Sequence, residues 1–267
     1  MSLSTVLFLF LAHLGVGIVF TLTLVSREAG VKFFRFNAGL ASVLLVIALA
    51  FGYNGTPVVS LGPDLQLLML STFAIVVYWA TVGRSLAKIR PAILWFSVAT
   101  GTLAIVVEAY TLTTTRSLPT QILTVASFLS SAALLGGACT AMILGHWYLV
   151  IPSMQVSHLQ SIVKVHIASM VVRVVVVAAA VFVAIATWQP GLGPSFRAYI
   201  LSSRGIFFWQ RVLFGLAGPA LLSYLTWETA KIRSTQSATG ILYVDFFTVV
   251  VGEVLAKYLL LATHVPV

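Results

Sequence analysis

Eight apolar runs follow one another along this chain with few charged residues inside them. A bilayer core about 30 Å thick asks for about 20 apolar residues per helix, and a backbone inside it must satisfy its hydrogen bonds within the segment. The runs fall at residues 3–25, 38–52, 65–83, 92–112, 120–150, 160–187, 207–230 and 241–263. The expected fold is an all-α polytopic membrane protein: eight transmembrane helices forming a single integral membrane domain over residues 1–267. Composition excludes a soluble alternative. Hydrophobic residues make up 60% of the chain and charged ones 8%, whereas a soluble domain carries charge on roughly a quarter of its residues. The opening "MSLSTVLFLFLAHLGVGIVFTLTLV" has no basic n-region and stays apolar beyond the length of a signal-peptide core, so it reads as the first span.

The net charge of +9 reflects basic residues standing singly or in threes between spans, not in the runs that grip nucleic acid. No nucleic-acid partner is expected. These residues report orientation instead, because short cytoplasmic loops collect Lys and Arg. Arg27, Lys32, Arg35, Arg84, Lys88, Arg90, Lys164, Lys231 and Arg233 fall on one side, against Arg116, Arg197 and Arg204 on the other. Both termini are therefore expected on the outer (non-cytoplasmic) side, in a bacterial cytoplasmic (inner) membrane. The single cysteine, Cys139, excludes an internal disulfide and an all-cysteine metal cluster.

The second run is short and leads into "FGYNGTPVVSLGPD", a Gly/Pro/Asn turn region. In the fifth, Ala133, Gly137, Ala141 and Gly145 form a stripe of small residues that predicts close helix packing. Pro219, in "GLAGP", predicts a kink in the seventh.

The segment "GHWYLVIPSMQVSHLQSIVKVH" holds three of the five histidines. With Pro152 turning the chain, His146 and His166 are expected at similar depth on an antiparallel hairpin near the cytoplasmic side. An imidazole pair there suits a quinone or a b-type heme, and the two would be metal ligands only if heme is bound. Gly136, Gly137 and Gly145 would give a macrocycle room. His13, mid-span in the first helix, is a further candidate for cofactor binding, since an ionisable ring there needs an internal partner. Interfacial histidines that hydrogen-bond loop carbonyls are the alternative reading.

Glu108, Arg173, Arg211, Glu253 and Lys257 lie within spans, where ionisable residues face the bundle interior and mark ion or proton routes. Arg173 and Glu253 are the expected interhelical pair, while Glu253 and Lys257 stand one turn apart and can neutralise each other. His158, Glu228 and Asp245, around the cytoplasmic connections, are candidates for proton transfer together with Arg173 and Glu253. The alternative is structural ion pairing and solvated loops. No phosphate-binding loop, zinc motif or nucleophile elbow occurs.

Eight spans with outer termini and polar groups at two depths resemble in general plan the quinone-reactive anchor subunits of the polysulfide- and dimethyl-sulfoxide-reductase type. The likeness is one of architecture and transfers no site residue. It implies an integral membrane subunit of a respiratory or photosynthetic electron-transfer complex that binds quinone or heme b and anchors partner subunits within lipid. The alternatives are a small secondary transporter, in which Arg173, Arg211 and Glu253 surround a charged midplane site and Pro219 marks a broken helix, or a purely structural subunit.

Overall fold

A computed structural model describes residues 3–53, 61–84, 86–150, 155–189 and 195–267. The described chain is helical, with no strand, and eight of its helical segments are long and apolar enough to cross a membrane. In order these are α1 (Leu3–Leu22), α2 (Gly30–Gly52), α3 (Pro63–Thr81), α4 (Arg90–Thr111), α5 (Leu118–Val150) and α6 (Val156–Ala186). A short α7 (Phe196–Ile200) precedes the seventh span, built from α8 (Ile206–Val212), a π turn (Leu213–Ala217) and α9 (Gly218–Lys231). The eighth is α10 (Thr235–Thr263). Pro63 and Pro91 stand in the first turns of α3 and α4, where a missing N–H costs nothing. Hydroxyls inside the spans fold back onto carbonyls one turn earlier, as Ser42 does on Ala38 and Thr72 on Leu68.

Two boundaries differ from the sequence expectation. The second span starts at Gly30, not residue 38, because its first turns carry Lys32 and Arg35; the Arg35 guanidinium lies 5.8 Å from the Trp79 ring centre. The eighth starts at Thr235, not residue 241, because the polar "TQSATG" is already helical. Asp245 consequently sits ten residues inside a helix and is fully buried, instead of beside a solvated connection. The turn at Pro152 and most of the Gly/Pro segment after α2 lie outside the described residues.

The ends of the bundle are tied by specific bonds. At the end rich in basic residues, Trp147 Nε1 donates to Ala29 O at 3.1 Å, His158 Nε2 meets Glu28 Oε2 at 2.7 Å, and Gln160 Nε2 donates to Ala230 O at 3.2 Å. The first, fifth and seventh connections therefore share one face, here called the basic end. The spans α1 and α5 bury most of their surface and form the centre. They cross at glycine, though not on the stripe expected from the sequence. A Cβ on Gly17 would stand 2.0 Å from the Ala132 carbonyl oxygen, and one on Gly136 would stand 2.1 Å from the Gly17 backbone. Thr21 and Thr140 lock this crossing with a hydroxyl pair at 2.6 Å. Gly137 makes ordinary contacts to α6, and a Cβ on Gly145 would stand 3.1 Å from the Thr239 and Leu242 side chains of α10.

The irregularity expected at Pro219 takes the form of the π turn that precedes it. Proline has no N–H for the carbonyl four residues earlier, which is Gly215 O. The Arg211 side chain occupies that acceptor, with Nη1 to O at 2.7 Å. Gly215 in turn lies against Gly252 of α10 so closely that a Cβ on Gly252 would be 2.1 Å from its Cα.

Candidate functional site

Of the fifteen basic residues, twelve lie toward the helix ends. The other three, Arg173, Arg211 and Lys257, meet inside the bundle around Glu253, and all four side chains are buried. Charge in so apolar a place is costly unless every polar atom is engaged. Glu253 meets that demand with all its acceptor sites. Oε1 accepts from Arg173 Nε at 2.9 Å and Arg211 Nη2 at 2.8 Å; Oε2 accepts from Arg173 Nη2 at 3.1 Å and Ser131 Oγ at 2.6 Å. Arg173 thus grips the carboxylate with two parallel bonds, the strongest geometry for this pair. Its remaining N–H groups reach Ser127 Oγ at 2.6 Å, Ser127 O at 3.1 Å and Val267 O at 3.3 Å.

Lys257 reaches past the carboxylate one turn away. Its ammonium is 3.6 Å from Glu253 Oε2 but 2.7 Å from Ser131 Oγ, and it lies over the Phe128 ring at 5.2 Å. Ser131 is therefore the junction of the network. Its one proton points to Glu253, so it accepts from Lys257 and also from His13 Nδ1, 3.2 Å away. That fixes the neutral His13 ring as the Nδ1–H tautomer and leaves Nε2 with a lone pair. Nε2 is buried with no partner among the described residues. His13 also lines a cavity of about 10 Å³, together with Phe8, Leu68 and the half-buried Asp64 and Glu108. That volume admits about one water.

A second buried pair lies nearer the basic end. His166 Nε2 and Asp245 Oδ2 are 2.7 Å apart and both are fully buried. The distance is short, but the groups are not aligned as a hydrogen bond. Asp245 and Glu253 are eight residues apart on α10, about 12 Å along the axis at 1.5 Å per residue. The bundle thus holds two polar layers.

The residues expected from the sequence divide between these layers and the surface. Arg173 with Glu253 pair as expected, and His13 joins them through Ser131. His166 and Asp245 meet each other. His146 is exposed and its Nδ1 is 3.1 Å from the Tyr243 hydroxyl, on another face of α10. His158 pairs with Glu28, and exposed Glu228 with Lys231 at 2.7 Å. The residues do not fit a bis-histidine heme. His146 and His166 face different partners, and the glycines meant to make room are occupied: Gly136 by the Gly17 backbone, Gly137 by His166 and Ser169, and Gly145 by Thr239 and Leu242. Among the described residues no three His, Cys, Asp or Glu side chains converge as a metal site.

Sequence reasoning missed the serines. The run "SFLSS", 127–131, puts three hydroxyls on one apolar span, and buried guanidinium and ammonium groups need such acceptors. No family model matches the chain, and neither a curated protein nor a solved structure matches it.

Proposed function

We propose that this chain is a proton-carrying integral membrane subunit of an electron-transfer complex, with its basic end in the cytoplasm and quinone as the redox partner. The carrying observation is the bonded run from Lys257 through Ser131 to His13, a residue that also lines a small cavity together with Asp64 and Glu108. Arginine does not release its proton, and Glu253 is engaged by both guanidinium groups. The members with a proton to exchange are Lys257, Ser131 and His13. A proton taken at His13 Nε2 makes the ring a double donor; its Nδ1 proton then passes to Ser131 Oγ while Ser131 passes its own proton to Lys257 in the neutral amine form, which leaves His13 neutral as the other tautomer. Arg173, Arg211 and Glu253 hold the fixed charge around this relay. His166 with Asp245 supplies the layer toward the basic end, and exposed His146 with Tyr243 offers a donor pair to a quinone carbonyl in the lipid.

The test is proton flux into vesicles containing the purified protein and an internal pH dye, driven by a potassium diffusion potential. Wild-type vesicles should acidify faster than empty ones, and His13→Gln and Lys257→Met should each lower the rate about tenfold or more. Wild-type vesicles as proton-tight as empty ones would refute the reading. The excess of three cations over one carboxylate favours a second reading, a small-anion transporter. In that case flux would appear for chloride or phosphate and be insensitive to His13→Gln.

A further inference from the structure

The four spans α1 to α4 open at the basic end into a second cavity, of about 380 Å³. It is unrelated to the buried network, and its lining is of two kinds. Leu22, Val82, Leu94 and Phe34 make an apolar floor, while Arg27, Arg90 and Tyr78 bring guanidinium groups and a phenol to the same space. Among the described residues no carboxylate lines it. Glu28, adjacent in sequence to Arg27, is turned away to His158 at 2.7 Å. Among the described residues neither Arg27 nor Arg90 forms an ion pair, and Arg90 Nε is buried with no hydrogen-bond partner. Arg27 and Arg90 thus make the cavity cationic with no anionic partner among the described residues.

Its volume lies in the range of small-ligand sites, which runs from about 300 to 1,000 Å³. Two planar forks beside a phenol suit an anion with several oxygens, because guanidinium binds phosphate through paired N–H donors and the Tyr78 hydroxyl adds a third donor. The apolar floor suits the carbon that carries the anion. Trp95, on the rim and more than half exposed, belongs to the aromatic belt that marks headgroup level.

We infer that this cavity binds a phosphate group, held by Arg27, Arg90 and Tyr78. An anionic lipid headgroup presents that group at the same level, and free phosphate presents it from solution. The site does not depend on the proton relay.

The experiment uses the full chain, delipidated in detergent, with native mass spectrometry for lipid and calorimetry for inorganic phosphate. Phosphatidylglycerol, phosphatidylcholine and inorganic phosphate are the probes, applied to wild type, Arg27→Gln, Arg90→Gln and Tyr78→Phe. Arg84→Gln and Lys88→Gln change exposed basic residues of the same end that do not line the cavity, and serve as controls. The expected result is about a tenfold preference for phosphatidylglycerol over phosphatidylcholine, lost in either arginine variant and kept in the controls. Tyr78→Phe removes one hydroxyl only and should weaken binding severalfold, so it decides the matter if an arginine variant fails to fold. Binding of inorganic phosphate that depends on Arg27 and Arg90, without the lipid preference, makes free phosphate the source. Binding of either probe that falls equally in controls and cavity variants, or in none, overturns the site.

Discussion

Replacing Gly17 by alanine tests the packing on which the whole network depends. The new Cβ would lie 2.0 Å from the Ala132 carbonyl oxygen and 2.9 Å from Gly136 N. Both belong to backbone, so no side chain can swing aside. Ordinary contact begins near 3.4 Å, and α1 and α5 must separate by more than 1 Å to reach it. A gap of 0.5–1 Å already forfeits about a quarter to a half of each dispersion contact across a seam, and overpacking of this kind costs about 1–3 kcal/mol. The same separation stretches Thr21 to Thr140, now 2.6 Å, and His13 to Ser131, now 3.2 Å. Interhelical hydrogen bonds in membranes average about 0.6 kcal/mol each. Together these give a loss of about 2–4 kcal/mol, against which the better helix propensity of alanine returns at most about 1 kcal/mol. Gly136→Ala meets the same backbone from the other side and should behave alike. Gly137→Ala, one position away, adds a Cβ at 3.4–3.5 Å from its neighbours, and Gly240→Ala meets nothing within 4 Å. Thermal unfolding in detergent, read as loss of the monodisperse peak on size exclusion, should rank Gly17→Ala and Gly136→Ala far below the other two. Equal stability of all four variants would refute the crossing.

Glu253→Gln leaves three buried cations without their carboxylate and should cost about 3–5 kcal/mol; a melting temperature like that of wild type would show the cluster to be dispensable. Asp245→Asn and His166→Gln should each destabilise the fold, and their double mutant should fall short of the sum by about 1 kcal/mol, as contacting residues do; strict additivity would deny the pair. Ser131→Ala should slow proton flux in vesicles while the Arg173 grip on Glu253 keeps the protein folded; unchanged flux would remove Ser131 from the relay.

The spans were legible because apolar length leaves a membrane chain little choice. Their starts were less so: "TQSATG" and the turns holding Lys32 and Arg35 look like connections by composition, yet continue helices into the headgroup region. Arg173 with Glu253 followed from depth alone. Arg211 joined them only under the transporter alternative, since it sits near the start of its span; the π turn and the proline also leave it the Gly215 carbonyl to hold. His166 with Asp245 was hidden by the misplaced start of α10. The seam at Gly17 and Gly136 escaped because spacing four apart marks a stripe but not which neighbour lies closest.

The π turn between Leu213 and Ala217 also fixes the reading frame of the seventh span. One added residue turns everything on its N-terminal side by about 100° relative to α9. Loss of a single codon there would leave an unbroken, equally apolar helix that still inserts, but would swing Arg211 from Glu253 toward lipid. Insertion and assembly therefore answer to different features of this segment: hydropathy tolerates the deletion, and the charge cluster does not.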